Sequence, residues 1–99
     1  MLTLKVGDQL PSISISCSDD GAVVDLSTAV LVTIIATRNG QPAFTVAGTH
    51  NSTGIVTADW PAGSTDTPGM IVLEVAVVFP GNLKQTWPGS GRLYVNIEA

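Results

Sequence analysis

Residues 54–99 read GIVTADWPAGSTDTPGMIVLEVAVVFPGNLKQTWPGSGRLYVNIEA, and this stretch leaves little room for anything but a sheet. A short segment of alternating character ends at Trp60, and a loop of Ser, Thr, Asp, Pro and Gly follows. The segment from Met70 to Phe79 is nearly all apolar, and Pro80-Gly81-Asn82 then reverses the chain. Leu93, Val95 and Ile97 finally alternate with Arg92, Tyr94, Asn96 and Glu98. Apolar side chains at period two place one face of a strand on a core. Gly, Pro and Asn supply the backbone angles that tight turns demand. Strands broken by turns at this spacing predict a small antiparallel β-sandwich.

The first half of the chain follows the same pattern. Residues 12–18 read S-I-S-I-S-C-S, with Ile13, Ile15 and Cys17 on one face and serines on the other. Asp19-Asp20-Gly21 is a turn signal. Residues 30–37, V-L-V-T-I-I-A-T, are apolar on both faces. That fits a central strand covered on both sides, or one whose outer face meets a partner. Asn39-Gly40 suits a two-residue hairpin. Residues 42–47 form a weak strand around Phe44 and Val46, and 48–54 form a polar loop. Residues 2–6 alternate Leu2, Leu4 and Val6 with Thr3 and Lys5, as a first strand or as an arm that pairs elsewhere. No segment keeps a helical period over two turns, and the β-branched residues among 22–32 argue against a helix there. The expectation is about seven strands in a single domain, with residues 1–9 as arm or first strand and 10–99 as the sandwich.

Charge narrows the class of partner. Eight acids against four bases give a net charge of −4. Lys5, Arg38, Lys84 and Arg92 are scattered, so they make no dense cationic patch for phosphates or anionic lipid. Neither nucleic acid nor a membrane is expected as a partner. Charged residues make up only 12% of the chain, against about 25% in an ordinary soluble domain. A surface poor in charge suits burial against neighbouring proteins, whose contact centres are depleted of charge. The first residues lack a basic segment followed by a long apolar one, so no signal peptide is expected.

The residues that carry chemistry are few and dispersed. Cys17 is the one cysteine, which excludes an intrachain disulfide, and its neighbours predict an inward-facing thiol. His50 is the one histidine and falls in a polar loop. One His and one Cys fall short of the four ligands of a structural zinc site. Asp19-Asp20 reads as an acidic turn, not a calcium loop. Gly89-Ser90-Gly91 lacks the Lys-Ser or Lys-Thr of a phosphate loop. Asn51-Ser52-Thr53 matches the N-glycosylation triplet, a short pattern frequent by chance. No base, nucleophile and orienting group can be assembled, so neither enzymatic activity nor a cofactor is expected. Trp60 and Trp87 each precede a proline, as at the rim of a sandwich. Trp60 is assigned to the core, while Trp87 is either core or a stacking surface for a sugar ring.

Several of these signals recur together in a known order. A strand leads into Asp19-Asp20-Gly21, and Val24-Asp25-Leu26-Ser27-Thr28-Ala29 follows. Asn39-Gly40, Gly54 before a strand ending in Trp60, and Asp66-Thr67-Pro68-Gly69 come next. The series closes with Glu74 in a long strand, Phe79-Pro80-Gly81, Thr86-Trp87-Pro88 and a last strand ending near Ile97. This order resembles the immunoglobulin-like N-terminal domain of the baseplate upper protein family of tailed phages and its stand-alone relatives among phage structural proteins. The family often has an aromatic where Met70-Ile71 stands, and Thr-Phe-Pro where Thr86-Trp87-Pro88 stands. The resemblance implies an immunoglobulin-like sandwich located in the virion. It would dock on or decorate the tail, baseplate, neck or capsid, in a homo- or hetero-oligomeric assembly. It brings no catalytic residues.

Two surfaces are therefore candidates for contact. The first comprises Leu2, Leu4 and Val6 on the N-terminal segment together with Val72, Ala76 and Val78, whose strand mate Glu74 marks their face as outward. The alternative is a glycan- or cell-surface-binding adhesion module that stacks a host-surface sugar on Trp87.

Overall fold

The computed structural model describes residues 2–10, 12–19, 22–49, 52, 54–87 and 93–99. Its strands are β1 (Leu2–Lys5), β2 (Ile13–Ser16), β3 (Ser18–Asp19), β4 (Ala22–Val23) and β5 (Leu31–Arg38), then β6 (Gln41–Ala47), β7 (Ile55–Ala58), β8 (Gly69–Phe79), β9 (Leu83–Trp87) and β10 (Leu93–Glu98). The chain is an all-β sandwich in one domain. The large sheet has the order β1-β10-β8-β5-β6, with β9 also on β8. The opposing layer is built on the β2-β7 pair, and β3-β4 is a separate small hairpin. The loop of that hairpin, Asp20 and Gly21, lies outside the described residues, as do His50, Asn51, Thr53 and residues 88–92.

β8 organises the large sheet. Its residues 72–78 pair with β5 on one edge. On the other edge β10 covers residues 69–73 and β9 covers 75–79. Trp87 stands opposite Val75 and Leu93 opposite Leu73, so only Glu74 of β8 lies between the two pairings. β9 and β10 thus share one track along β8. With β3 and β4, only two residues each, set aside, eight strands remain, one more than the seven or so expected.

The expectation of an antiparallel sandwich needs one correction. β1 pairs with β10 in parallel, Leu2 opposite Val95 and Leu4 opposite Ile97. The parallel course is available because the chain leaves β1 for the opposite layer, not through a hairpin into a neighbour.

Local chemistry accounts for the hairpins. Asn39 and Gly40 both take positive φ, 53° and 76°, between the paired Arg38 and Gln41. This is the mirror-image turn whose twist matches that of the flanking strands. In the β5-β6 pairing the register shifts between Ala36 and Thr37, and Pro42 stands opposite Thr37. A proline without an N–H is tolerated on an edge strand at such an irregularity.

The core lies between the layers. Val32, Ile34, Ile71, Val75 and Val77 of the large sheet are buried together with Ile13, Ile15 and Val56 of the small one. Leu26, Cys17, Trp60 and Trp87 complete the cluster. Gly48 sits where the chain leaves β6 toward the opposite layer, its N–H donating to the Val32 carbonyl at 3.0 Å. A Cβ at this position would lie 2.5 Å from Val56 Cγ1 and 3.3 Å from Val32 Cγ1. The layers meet here too closely for any side chain.

Candidate interaction surface

Alternation along the strands divides the large sheet into two faces. On β8, Ile71, Leu73, Val75 and Val77 are buried, while Met70, Val72, Glu74, Ala76 and Val78 point to the other side. On β5, Val32, Ile34 and Ala36 are buried, and Leu31, Thr33, Ile35 and Thr37 point outward. Every outward residue of these two strands is exposed or half-buried, so no second layer among the described residues covers this face. The sequence placed Val72, Ala76 and Val78 outside, and they lie there side by side along β8.

Register joins them into a surface. Thr33, Ala76 and Thr86 form a row across β5, β8 and β9. On one side of that row Ile35 stands opposite Glu74, and on the other Leu31, Val78 and Lys84 are aligned. Beyond them Tyr94 of β10 is opposite Val72, and it is 40% exposed. Leu31, also solvent-accessible at 53%, and Ile35 belong to this surface although neither was a candidate. The signal was present in residues 30–37, but a run apolar on both faces does not say which face is inward. The long β8 pairing resolves it, since Ile34 aligns with buried Val75.

The N-terminal candidates fare differently. Leu4 is only 2% exposed and packs into the protein's own core, so its side chain is withdrawn from any partner. Parallel pairing places Leu4 beside Ile97, which faces inward as well. Val6 remains accessible at 39%, with its N–H donating to the Glu98 carbonyl at 2.8 Å. Leu2 contributes backbone pairing to Val95, and its side chain is outside the described set. Residues 2–5 are therefore a strand of this domain and not a loose arm. The segment is held further along by the loop before β8. Gly7 N–H donates to the Thr65 carbonyl at 3.0 Å, and the buried Thr65 hydroxyl donates to the Asp8 carbonyl at 2.8 Å.

Trp87 needs a correction as a ligand-stacking residue. It is 2% exposed because its partner Val75 is a core position, and a side chain opposite it on the same face points inward too. No ring face is left for a sugar. Trp60 is 4% exposed and belongs to the core cluster.

A groove of about 360 Å³ runs between β6 and β7, with Val46 and Ala58 as apolar lining and Ser12, Thr49, Thr57 and Asp59 as polar lining. Thr49 bridges to Thr57 through both backbone and hydroxyl, which closes one wall. Asp59 is the one carboxylate there among the described residues, and no aromatic ring among them lines the groove. Among the described residues no group of three or more His, Cys, Asp and Glu is placed to share a metal ion. Asp25 has its pKa lowered by the Ser27 backbone N–H, which donates to its Oδ1 at 2.9 Å, and then by the Ser27 hydroxyl. It is an exposed turn carboxylate. Lys5 and Glu98 form an ion pair at 3.2 Å with both side chains well solvated, which adds little to stability.

No family model, no curated protein and no solved structure matches this chain.

Proposed function

We propose that this protein is a non-enzymatic structural component of a tailed-phage virion, attached to other virion proteins through the outward face of its large sheet. The observation that carries the attachment role is the uncovered face around Val72, Ala76, Val78 and Ile35, where an isolated soluble domain would place charge. The low overall charge fits the same role. The phage assignment rests on the order of turn and strand motifs that resembles the baseplate upper protein family. Val6 adjoins the β1 edge and offers a second point of contact, since β1 pairs only with β10 among the described strands. Burial of Trp87 removes the residue on which a glycan-binding reading depends.

The test is incorporation into particles. Tagged wild-type protein is expected to co-purify with virions through a density gradient, and Ala76→Asp to be lost from them while remaining folded. Particles that assemble and infect normally without the protein, and never contain it, would overturn the proposal.

A further inference from the structure

The outward face has an internal symmetry in its register. Glu74 precedes Ala76 by two residues on β8, and Lys84 of β9 is aligned with Val78, two residues past Ala76. The two charges thus lie at equal distances on opposite sides of the row formed by Thr33, Ala76 and Thr86. Leu31 and Ile35 flank Thr33 on β5 in the same way. Within one molecule Glu74 and Val78 are ~13 Å apart along the strand, so Glu74 and Lys84 are too distant to pair with each other.

We propose that this face is a two-fold symmetric interface between two copies of the chain, with the axis running along the Thr33, Ala76, Thr86 row. The inference deepens the attachment reading by naming the partner of the face, and rests on that face being an interface. A rotation about this axis lays β8 of one copy across β8 of its partner. It carries Lys84 of the partner subunit to the neighbourhood of Glu74, one strand spacing of ~4.8 Å to the side. The same operation places Glu74 of the partner subunit beside Lys84. It also seats Leu31 on Ile35 of the partner subunit, and the reverse. Glu74 then lies across from Val78 of the partner subunit with the opposite charge one strand away, and Leu31 lies across from an apolar residue, so the charge and aliphatic pairings repeat on both sides of the axis as a two-fold contact requires. The residues on the axis, Thr33, Ala76 and Thr86, are small enough for two sheets to approach to their ~10 Å packing distance. Symmetry about Ala76 limits the overlap to residues 73–79 of β8 and their neighbours on β6, β5 and β9, at most ~23 Å by ~19 Å or roughly 440 Å² per partner, the size of a small and weak interface.

Sedimentation equilibrium on the full chain tests the proposal through two charge reversals, Glu74→Lys and Lys84→Glu. Wild type is expected to dimerise weakly, at concentrations on the order of 100 μM. Each single variant places like charges together at two points, and its self-association is expected to weaken about tenfold or more. A one-to-one mixture of the two variants is expected to associate with each other, because both contacts are then opposite in sign. The double variant Glu74→Lys/Lys84→Glu is expected to recover the wild-type dimer. Circular dichroism of each variant establishes that the fold is kept, and both positions are solvent-exposed. A wild type monomeric throughout, or a dimer in which the mixture behaves like the separate variants, overturns the two-fold axis. A monomer that still enters particles overturns the dimer alone and leaves the attachment reading standing.

Discussion

Phe44 and Trp60 meet edge to face, their ring centroids 6.0 Å apart and their planes inclined by 71°. The contact joins β6, the edge strand of the large sheet, to the segment that follows β7 in the small one. A two-stranded layer has little of its own to hold it, and a flat aromatic body spanning the layers supplies much of the missing area.

Trp60→Ala is expected to destabilise the protein by about 3–5 kcal/mol, a large share of a small domain's total. A double-mutant cycle with Phe44→Leu and Trp60→Leu is expected to give a coupling of about 1 kcal/mol in urea denaturation. A coupling of zero would mean that the two rings are neighbours without mutual preference.

Gly48→Ala is expected to lose about 1–3 kcal/mol through overpacking, since its Cβ would meet Val56 Cγ1 at 2.5 Å. Combining it with Val56→Ala is expected to cost less than the sum of the separate losses, because the second change vacates the space the first requires. Thermal melts of the three variants measure this directly.

Thr65→Val keeps the shape of a buried side chain and removes the hydrogen bond to the Asp8 carbonyl. The expected loss is about 1 kcal/mol, concentrated at the N-terminal segment. Amide exchange at Val6 and Gly7, which donate to the Glu98 and Thr65 carbonyls, is expected to accelerate while exchange in the centre of β8 stays unchanged.

Asp25 titrates below the ordinary carboxyl range in the folded protein because the Ser27 N–H and hydroxyl favour its charged form. A carboxyl whose folded pKa is depressed contributes stability above its unfolded pKa and loses it as pH falls through the folded value. Asp25→Asn is therefore expected to flatten the acid end of the stability profile and leave its shape at neutral pH unaltered. Carboxyl-detected NMR titration of wild type gives the pKa, and a value at or above that of a free side chain would contradict the Ser27 assignment.

The parts of this fold that could be read from the sequence are those encoded by local rules. Asn39-Gly40 declares a mirror-image turn, and alternation in residues 12–18 and 93–98 gives inward faces without reference to any other segment. Glu74 sufficed to orient β8, because a lone carboxylate within an apolar strand marks the solvent side. What stayed hidden was pairing between segments distant in the chain. Nothing local in Leu2–Lys5 says that it joins β10 in parallel, and so Leu4 was open to assignment as a contact residue when it is core. The same limit applies to Trp87. Its exposure depends on which face of β9 lies opposite Val75, and that is a fact of register. The contact surface was half legible for this reason. Val72, Ala76 and Val78 are neighbours in sequence and could be found together, whereas Ile35, Leu31 and Lys84 join them only once the strands are laid side by side.

The central claim separates an inward face that holds the fold from an outward face that makes contacts, and Ala76→Asp tests it most directly. Ala76 is half-buried at the middle of the outward face, away from the core cluster. Melting temperature and particle incorporation should be measured on the same purified variant. The account predicts a stability within about 0.5 kcal/mol of wild type, as for an ordinary surface change, together with loss of the protein from virions. A variant that unfolds, or one that stays folded and enters particles as wild type does, would contradict it.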